Sequence, residues 1–393
     1  MKKVFLFSLF LVLGLVLSQC LPVWLGEAFL TAEKVAKTLM FVCLAFIMIN
    51  VGREFELDKT KWRSYAADYF IAMANAAVPW IMVAFYYMFL LPADLFGNWD
   101  AWKENLLLSR FAAPTSAGIL FTMLAAAGLR REWIYKKTQV LAIFDDLDTI
   151  LLMIPLQIFM IGFKWQLFAV VIVITFLLVI GWKKLGTIRL SQTWKSILFY
   201  AVCIVAVTES IYLLTKWMMG ADGAIHIEVL LPAFVLGMVM KTVHQHGNRD
   251  EKITGMISYL FMFLVGLSTP QFIGIDHGHR ITEAVGIIAA QPMPSWEVLV
   301  VHVIVVTLLS NLGKMFPLFF YRDRQLEERL ALSVGMFTRG EVGAGIIVIA
   351  MGYNLGGPAL IISVLSLVLN LLLTGGFVVI VKRLAQQAYG LKE

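Results

Sequence analysis

The chain has 393 residues, of which 60% are hydrophobic and 15% are charged, with a formal net charge of +6. A soluble domain has about 45–50% apolar and about 25% charged residues, so this composition excludes an ordinary soluble protein and indicates an integral membrane protein. The basic residues do not cluster on one soluble face, which excludes nucleic acid as a partner and leaves membrane lipids as the surroundings.

Long apolar runs predict an all-α polytopic membrane protein with about twelve transmembrane helices and no strand pattern. The first run begins with two lysines, as a signal peptide does, but Gln19 is bulky where a cleavage site needs a small residue. We therefore expect this run to be retained as a span. The twelve predicted spans are 3–25, 35–51, 66–91, 105–128, 138–161, 165–182, 196–217, 227–240, 253–273, 297–320, 330–352 and 358–381.

The basic residues also predict how the chain is oriented, because Lys and Arg are enriched in cytoplasmic loops. With both termini in the cytoplasm, 23 of the 32 Lys and Arg residues fall at inner ends and loops, and 7 fall on the outer side. The outer group includes Arg110, and the remaining two, Lys314 and Arg339, lie inside spans. This bias predicts a multi-pass protein of the cell (inner) membrane with both termini cytoplasmic.

Spans 4 and 11 are the least regular, because they carry "FAAPTSAG" and "FTRGEVGAG" at membrane depth. The two spans align on Ala-Gly-Ile, with Gly118 opposite Gly345, and they run in opposite directions. We therefore predict inverted five-helix repeats with two crossed broken helices, an arrangement that indicates a transporter's binding site. The single transmembrane domain, 1–393, has no soluble domain and divides into repeat 1 (about 1–161), linker spans (about 162–220) and repeat 2 (about 221–382).

Charged residues inside the spans mark one level of the membrane. Each costs about 2.5–3.5 kcal/mol at the bilayer centre, so such residues need a partner or a water-filled cavity. Counting about 1.5 Å per helical residue from the nearest inner basic residue puts Asp145 and Lys314 about 12 Å deep. The same count puts Gly118 and Glu341 about 18 Å deep. Asp146 follows Asp145 about 100° around the helix, so both acids can border one cavity with the breaks.

The helix breaks can supply further ligands to that cavity. An interrupted helix exposes a positive N-terminal end and a negative C-terminal end, and the carbonyls and hydroxyls of Thr115 and Ser116 can ligate a cation. A hard cation such as Na⁺ takes oxygen ligands, which carboxylates and backbone carbonyls provide. Asp148 is either a third ligand or a hydrogen-bonded structural acid. Arg339 and Glu341 either support the site or form a structural pair.

Four stretches of the chain resemble known motifs. "LAIFDDLDTIL" resembles the Asp-Asp helix of bacterial sodium/proton antiporters, in the cation/proton antiporter superfamily, and "INVGREFEL" resembles the end of that family's second span. "LGKMF" is similar to its lysine helix, and "TRGEVGAG" is similar to the broken helix of the superfamily's second branch. The resemblance covers nearly the whole chain. It implies the crossed-helix antiporter fold, a homodimer and exchange of Na⁺ or Li⁺ for H⁺, and we expect no cofactor.

The resemblance also implies residue roles. Asp146 matches the essential cation ligand, Asp145 matches its companion, and Lys314 matches the lysine that pairs with the companion. Glu341 matches the acid of the second broken helix. On this basis Asp145, Asp146 and Lys314 are predicted to bind the cation or carry protons, with Asp146 and Asp145 as the Na⁺ ligands.

Two positions depart from the family pattern. The best-studied branch often has an acid in the break of span 4, where this chain reads Pro114-Thr115-Ser116. This leaves compensation of the helix dipoles to Glu341 or another group. Asp148 stands where glycine is usual, which leaves the choice of ion and the proton stoichiometry open.

Four other functions are alternatives to sodium/proton exchange. A K⁺/H⁺ antiporter is the closest alternative, although large potassium-efflux relatives often carry a soluble nucleotide-binding domain and only about a dozen residues follow Val381. A Na⁺-coupled organic anion symporter on a related fold is a second, but its Na⁺ sites can be built from neutral oxygens. An intramembrane aspartyl protease needs a GxGD motif, which the sequence lacks, so we expect no enzyme. A sensor without transport would have no use for the charged core.

Overall fold

The computed structural model describes residues 2–54, 62–161, 166–219, 229–240, 248–268, 286–288, 290–352 and 355–390. Helices dominate this part of the chain, with short 3-10 turns at Gly26–Ala28, Ala93–Gly97, Arg110–Ala112 and Phe316–Phe319. The α-helices are α1 Lys2–Leu25, α2 Phe29–Glu54, α3 Trp62–Phe89, α4 Trp99–Ser109, α5 Ala117–Ala126, α6 Trp133–Ile161, α7 Gln166–Lys183, α8 Trp194–Met219, α9 Leu230–Val239, α10 Asn248–Leu267, α11 Trp296–Gly313, α12 Leu326–Gly335, α13 Glu341–Gly352 and α14 Gly357–Tyr389.

Every predicted span overlaps a helix, and the two irregular spans are each a pair of helices. Span 4 is α4 followed by α5, and span 11 is α12 followed by α13. The end of the ninth predicted span, at 269–273, lies outside the described residues. Among the described residues, six helical segments are long and apolar enough to cross a membrane. The all-α polytopic architecture is therefore confirmed.

The chain divides into two compact units. Unit 1 comprises Met1–Gly26, Arg63–Leu156 and Val265–Glu393, and unit 2 comprises Glu27–Trp62 and Gln157–Leu264. Within unit 2, α2 packs along α9 and α8, and α7 packs against α9. Within unit 1, the long helix α14 packs along α11, α12 and α1, so it forms the centre of the unit that carries both broken helices.

Local sequence explains both breaks. Pro114 has no amide hydrogen with which to continue the helical hydrogen bonds, so α4 and its 3-10 turn end just before it. Ser116 then starts α5 as its N-cap, accepting from the Ile119 amide at 3.4 Å. In the second broken helix the chain leaves the helical path after Gly335 and resumes after Gly340. A Cβ atom on Gly340 would lie 2.7 Å from the Ser116 hydroxyl oxygen, so only glycine allows the two breaks to approach this closely.

A polar cluster joins α3, α6 and the segment before α12 within unit 1. Lys137 places its ammonium 3.0 and 2.8 Å from the two carboxylate oxygens of Asp68, which is almost fully buried. Tyr321 donates its hydroxyl to the same carboxylate at 2.7 Å from a left-handed backbone with φ of 52°. Burial, together with the Asp68 charge, raises the pKa of the Tyr321 hydroxyl above its ordinary value. The phenol therefore remains a hydrogen-bond donor at neutral pH.

We expect Asp68→Asn to lower the free energy of unfolding by about 2 kcal/mol, because it leaves the Lys137 ammonium without its buried counter-charge. The measurement is thermal unfolding of the detergent-solubilised protein, read as a lower melting temperature. The control is Asp323→Asn, whose carboxylate is 75% exposed and lies 3.6 Å from Arg324, so its loss should leave stability nearly unchanged. Equal melting temperatures for the two variants would show that the Asp68 cluster does not stabilise the fold.

Candidate ion-binding site

The two breaks cross each other inside unit 1. Ser116 donates its amide to the Thr338 carbonyl at 3.0 Å, and Thr115 donates its hydroxyl to the Met336 carbonyl at 3.1 Å. Backbone polar groups at membrane depth must be satisfied by protein or by water in a cavity, and here each break supplies partners for the other. The crossing brings together the N-terminal ends of α5 and α13 and the C-terminal end of α12, so positive and negative helix ends meet at one place.

The companion acid and the lysine form a fully buried ion pair at this crossing. The Lys314 ammonium lies 3.0 and 2.9 Å from the two carboxylate oxygens of Asp145, and both side chains are 0% exposed. Thr115 donates its backbone amide to the same carboxylate at 2.8 Å. A carboxylate that accepts from an ammonium and an amide is held in place by charge-assisted hydrogen bonds. The structure thus joins Asp145 on α6 to both α11 and the first break.

A third helix also contacts Lys314, through a residue that the sequence analysis did not place in the site. With its amide oriented to satisfy both groups, Asn75 on α3 accepts from the Lys314 ammonium at 3.3 Å and donates to the Lys314 carbonyl at 3.1 Å. The neighbouring Gly313 makes this approach possible, because a Cβ there would lie 2.5 Å from the Cα atom of Pro79. Pro79 has no amide hydrogen to offer the Asn75 carbonyl four residues earlier, so α3 lacks one backbone hydrogen bond near its contact with the lysine.

The other two acids of α6 are buried beside this pair. Asp146 is 5% exposed and acts electrostatically on Lys314. Asp148 is 2% exposed and lies beside Tyr69 of α3. The structure therefore brings Asp145, Asp146 and Asp148 into one buried region.

The second break carries a fully buried arginine. Arg339 donates to the Met336 carbonyl at 3.2 Å and to the Ser310 carbonyl of α11 at 3.3 Å. Its guanidinium thus caps the C-terminal end of α12, where the helix dipole is negative, and ties the break to the lysine helix. Glu341 begins α13, but its side chain lies outside the described residues.

The sequence analysis counted Arg110 among the basic residues of the outer side and gave it no role in the site. The structure places it fully buried at the end of α4, with its guanidinium 4.4 Å from the centre of the Trp80 ring. It donates to the backbone carbonyl of Asp148 at 3.1 Å. Because α4 begins at Trp99, Arg110 lies well inside the protein, and its position four residues before the Pro114 break was the available signal.

The fold and the site together define the class of membrane protein. Crossed broken helices around buried acids and a lysine, in a polytopic helical chain, are the architecture of an ion-coupled secondary transporter. The family model described as "Sodium/hydrogen exchanger, transmembrane" matches residues 2–384, and the chain belongs to this family. The family consists of multi-pass membrane transporters that exchange cations for protons, and not of enzymes. The resemblance inferred from the four motifs is confirmed.

A solved structure shares this fold. The sodium proton antiporter MjNhaP1 from Methanocaldococcus jannaschii superposes with a TM-score of 0.58 over 98% of this chain and 92% of its own. The two sequences are 13% identical, so the likeness concerns the fold alone. Comparison with curated protein sequences finds no match.

Proposed function

We propose that this protein exchanges Na⁺, or Li⁺, for H⁺ by alternating access, with the cation and protons competing for Asp145 and Asp146. The supporting observation is the fully buried Asp145–Lys314 ion pair at the crossing of the breaks, with Asp146 beside it. Burying an ion pair away from solvent costs free energy, so a buried pair of this kind indicates a functional role. Binding of a transported cation is such a role. The transported ions are the only ligands that this proposal needs.

Asp146 is the principal cation ligand in this proposal, and Asp145 joins it when Lys314 withdraws. The Thr115 hydroxyl and carbonyl oxygens of the first break complete an oxygen shell of the kind that hard cations take. Ser116 and Arg339 hold the geometry of the crossing, and Glu341 adds a negative group at the start of α13.

Transport follows from competition. Two carboxylates cannot hold Na⁺ and their protons at once, so an incoming cation displaces protons and an incoming proton displaces the cation. A site neutralised by Na⁺ or by protons can cross the membrane interior, whereas bare carboxylates cannot at comparable cost. We expect spans 3–5 and 10–12 to move together as a core. They lie within unit 1 apart from the last residues of span 5, which supports motion of those helices as a body.

The choice of ion is tested by flux into proteoliposomes. Under imposed Na⁺, Li⁺ or K⁺ gradients, we expect proton movement with Na⁺ and Li⁺ and little with K⁺. Proton movement with K⁺ equal to that with Na⁺ would favour the K⁺/H⁺ antiporter instead. Cation uptake without opposite proton movement would favour a symporter.

The predicted orientation and assembly are part of the proposal. We expect a homodimer in the inner membrane with both termini cytoplasmic, built from the repeats at about 1–161 and 221–382. A reporter fused after Lys392 should read cytoplasmic, and one inserted near Gly278 should read external, because of the bias of basic residues. The measurement is labelling of each reporter by a membrane-impermeant reagent in intact cells. A C-terminal tag labelled only from outside would overturn the orientation.

A further inference from the structure

Arg110 is a second basic residue in the core that contacts the acid helix. It donates to the Asp148 carbonyl at 3.1 Å, and Thr115, five residues later, donates to the Asp145 carboxylate at 2.8 Å. The first broken helix thus forms hydrogen bonds with two residues of α6 that lie about one helical turn apart. Trp80 covers the guanidinium at 4.4 Å, so the charge of Arg110 is kept away from solvent.

The charge of Arg110 acts on the same acids. It interacts electrostatically with Asp145 and Asp148, and the other groups that face Asp148 are Tyr69 from α3 and Lys314 from α11. Around the crossing of the breaks, the described residues thus include three buried carboxylates (Asp145, Asp146 and Asp148) and three buried basic groups (Lys314, Arg110 and Arg339).

Lys314 and Arg110, which both form hydrogen bonds with α6, differ chemically. Lys314 can release a carboxylate or lose a proton, whereas an arginine stays charged at every pH that a protein meets. A site with several uncompensated carboxylates favours divalent cations, because affinity for them rises with the number of ligand charges. A permanent positive charge beside the third acid therefore opposes tight binding of a divalent cation.

We propose that Arg110 is a positioning residue that permanently offsets the charge of Asp148, which sets the affinity for Na⁺ and keeps divalent cations out. The inference rests on the proposed function, in which Asp145 and Asp146 bind the transported cation. Arg110 binds the backbone carbonyl of Asp148 and acts on its carboxylate through their electrostatic interaction, so the inference gives Asp148 a role as the charge that Arg110 offsets.

The test is Na⁺-driven proton flux in proteoliposomes at one fixed alkaline pH, with Ca²⁺ as the divalent probe. In Arg110→Gln we expect the half-saturating Na⁺ concentration to fall about tenfold, and Ca²⁺ to inhibit at about tenfold lower concentration. Asp148→Asn should change both values in the opposite direction. The double variant should return to within about threefold of wild type, because both charges are removed together.

Two further variants separate charge from packing. Arg110→Lys keeps the positive charge but loses the planar guanidinium group. A half-saturating Na⁺ concentration near that of wild type would therefore support the charge role. Lys137→Gln breaks the ion pair with Asp68 near the start of α6, so it should lower stability without changing the half-saturating Na⁺ concentration. Unchanged half-saturation in both Arg110→Gln and Asp148→Asn would overturn the inference. If Arg110→Gln does not fold, an unchanged value in Asp148→Asn is sufficient to overturn it. Absence of Na⁺-driven flux in wild type would instead contradict the proposed function.

Discussion

Asp146→Asn should abolish Na⁺-driven proton flux, with a loss of at least about a hundredfold in rate. The amide keeps the shape of the side chain but removes both the negative charge that attracts the cation and the site that accepts the proton. Because Asp146 is 5% exposed, bulk water cannot replace the missing charge. The measurement is dequenching of a pH-sensitive dye in proteoliposomes after a Na⁺ pulse.

The matched control for this variant is Asp100→Asn. Asp100 lies in the first turn of α4, and its carboxylate is 66% exposed and pairs with Lys103 three residues later. Flux in this variant should therefore equal that of wild type. Gel filtration of each purified variant confirms that the folded protein is present. Wild-type flux in Asp146→Asn would remove Asp146 from the cation site.

The second large effect concerns Lys314 and the membrane potential. If Lys314 carries a second proton, two protons enter for each Na⁺ that leaves, and one net charge crosses per cycle. An imposed potential of 100 mV then changes the driving force by about 2.3 kcal/mol, which is readily measured as a change in flux. In Lys314→Gln we expect exchange to continue electroneutrally, without this response and with a shifted pH profile.

Both outcomes of the voltage experiment are informative. Wild-type flux that ignores the potential would refute two protons per Na⁺ and leave Lys314 as a fixed counter-charge. Flux in Lys314→Gln that keeps its full voltage response would show that the second proton travels on another group, with Asp145 or Asp148 as the next candidate. Asn75→Ala provides a comparison, because it removes a contact of Lys314 without removing its charge.

The sequence predicted the elements of this fold well because each signal was local. Apolar runs located the spans, and the stretches "FAAPTSAG" and "FTRGEVGAG" located the breaks. Counting residues from the nearest basic loop also put Asp145 and Lys314 at the same level, and the structure places them in contact although 169 positions separate them.

The remaining site residues could not be predicted because their contacts are made by tertiary packing. Arg110 meets Asp148 across 38 positions, and the rule that relates basic residues to membrane sides gives no sign of a buried contact. Asn75 appeared to be a lone polar residue in a span, since nothing in the local pattern shows that Pro79 and Gly313 bring two helices close enough for it to contact Lys314. Pair contacts of this kind depend on helix–helix distances, which periodicity does not encode.

The two hydrogen bonds between Asn75 and Lys314 bear on how far the lysine must travel during transport. Its ammonium is 2.9 Å from the nearer Asp145 oxygen and already 3.3 Å from the Asn75 oxygen, while its carbonyl is held by the same amide. An ammonium that leaves the carboxylate therefore has an acceptor within reach and a fixed backbone behind it. Cation arrival can thus be answered by rotation of one side chain between two adjacent oxygens, a displacement small enough to occur on the timescale of rotamer exchange and not of helix movement.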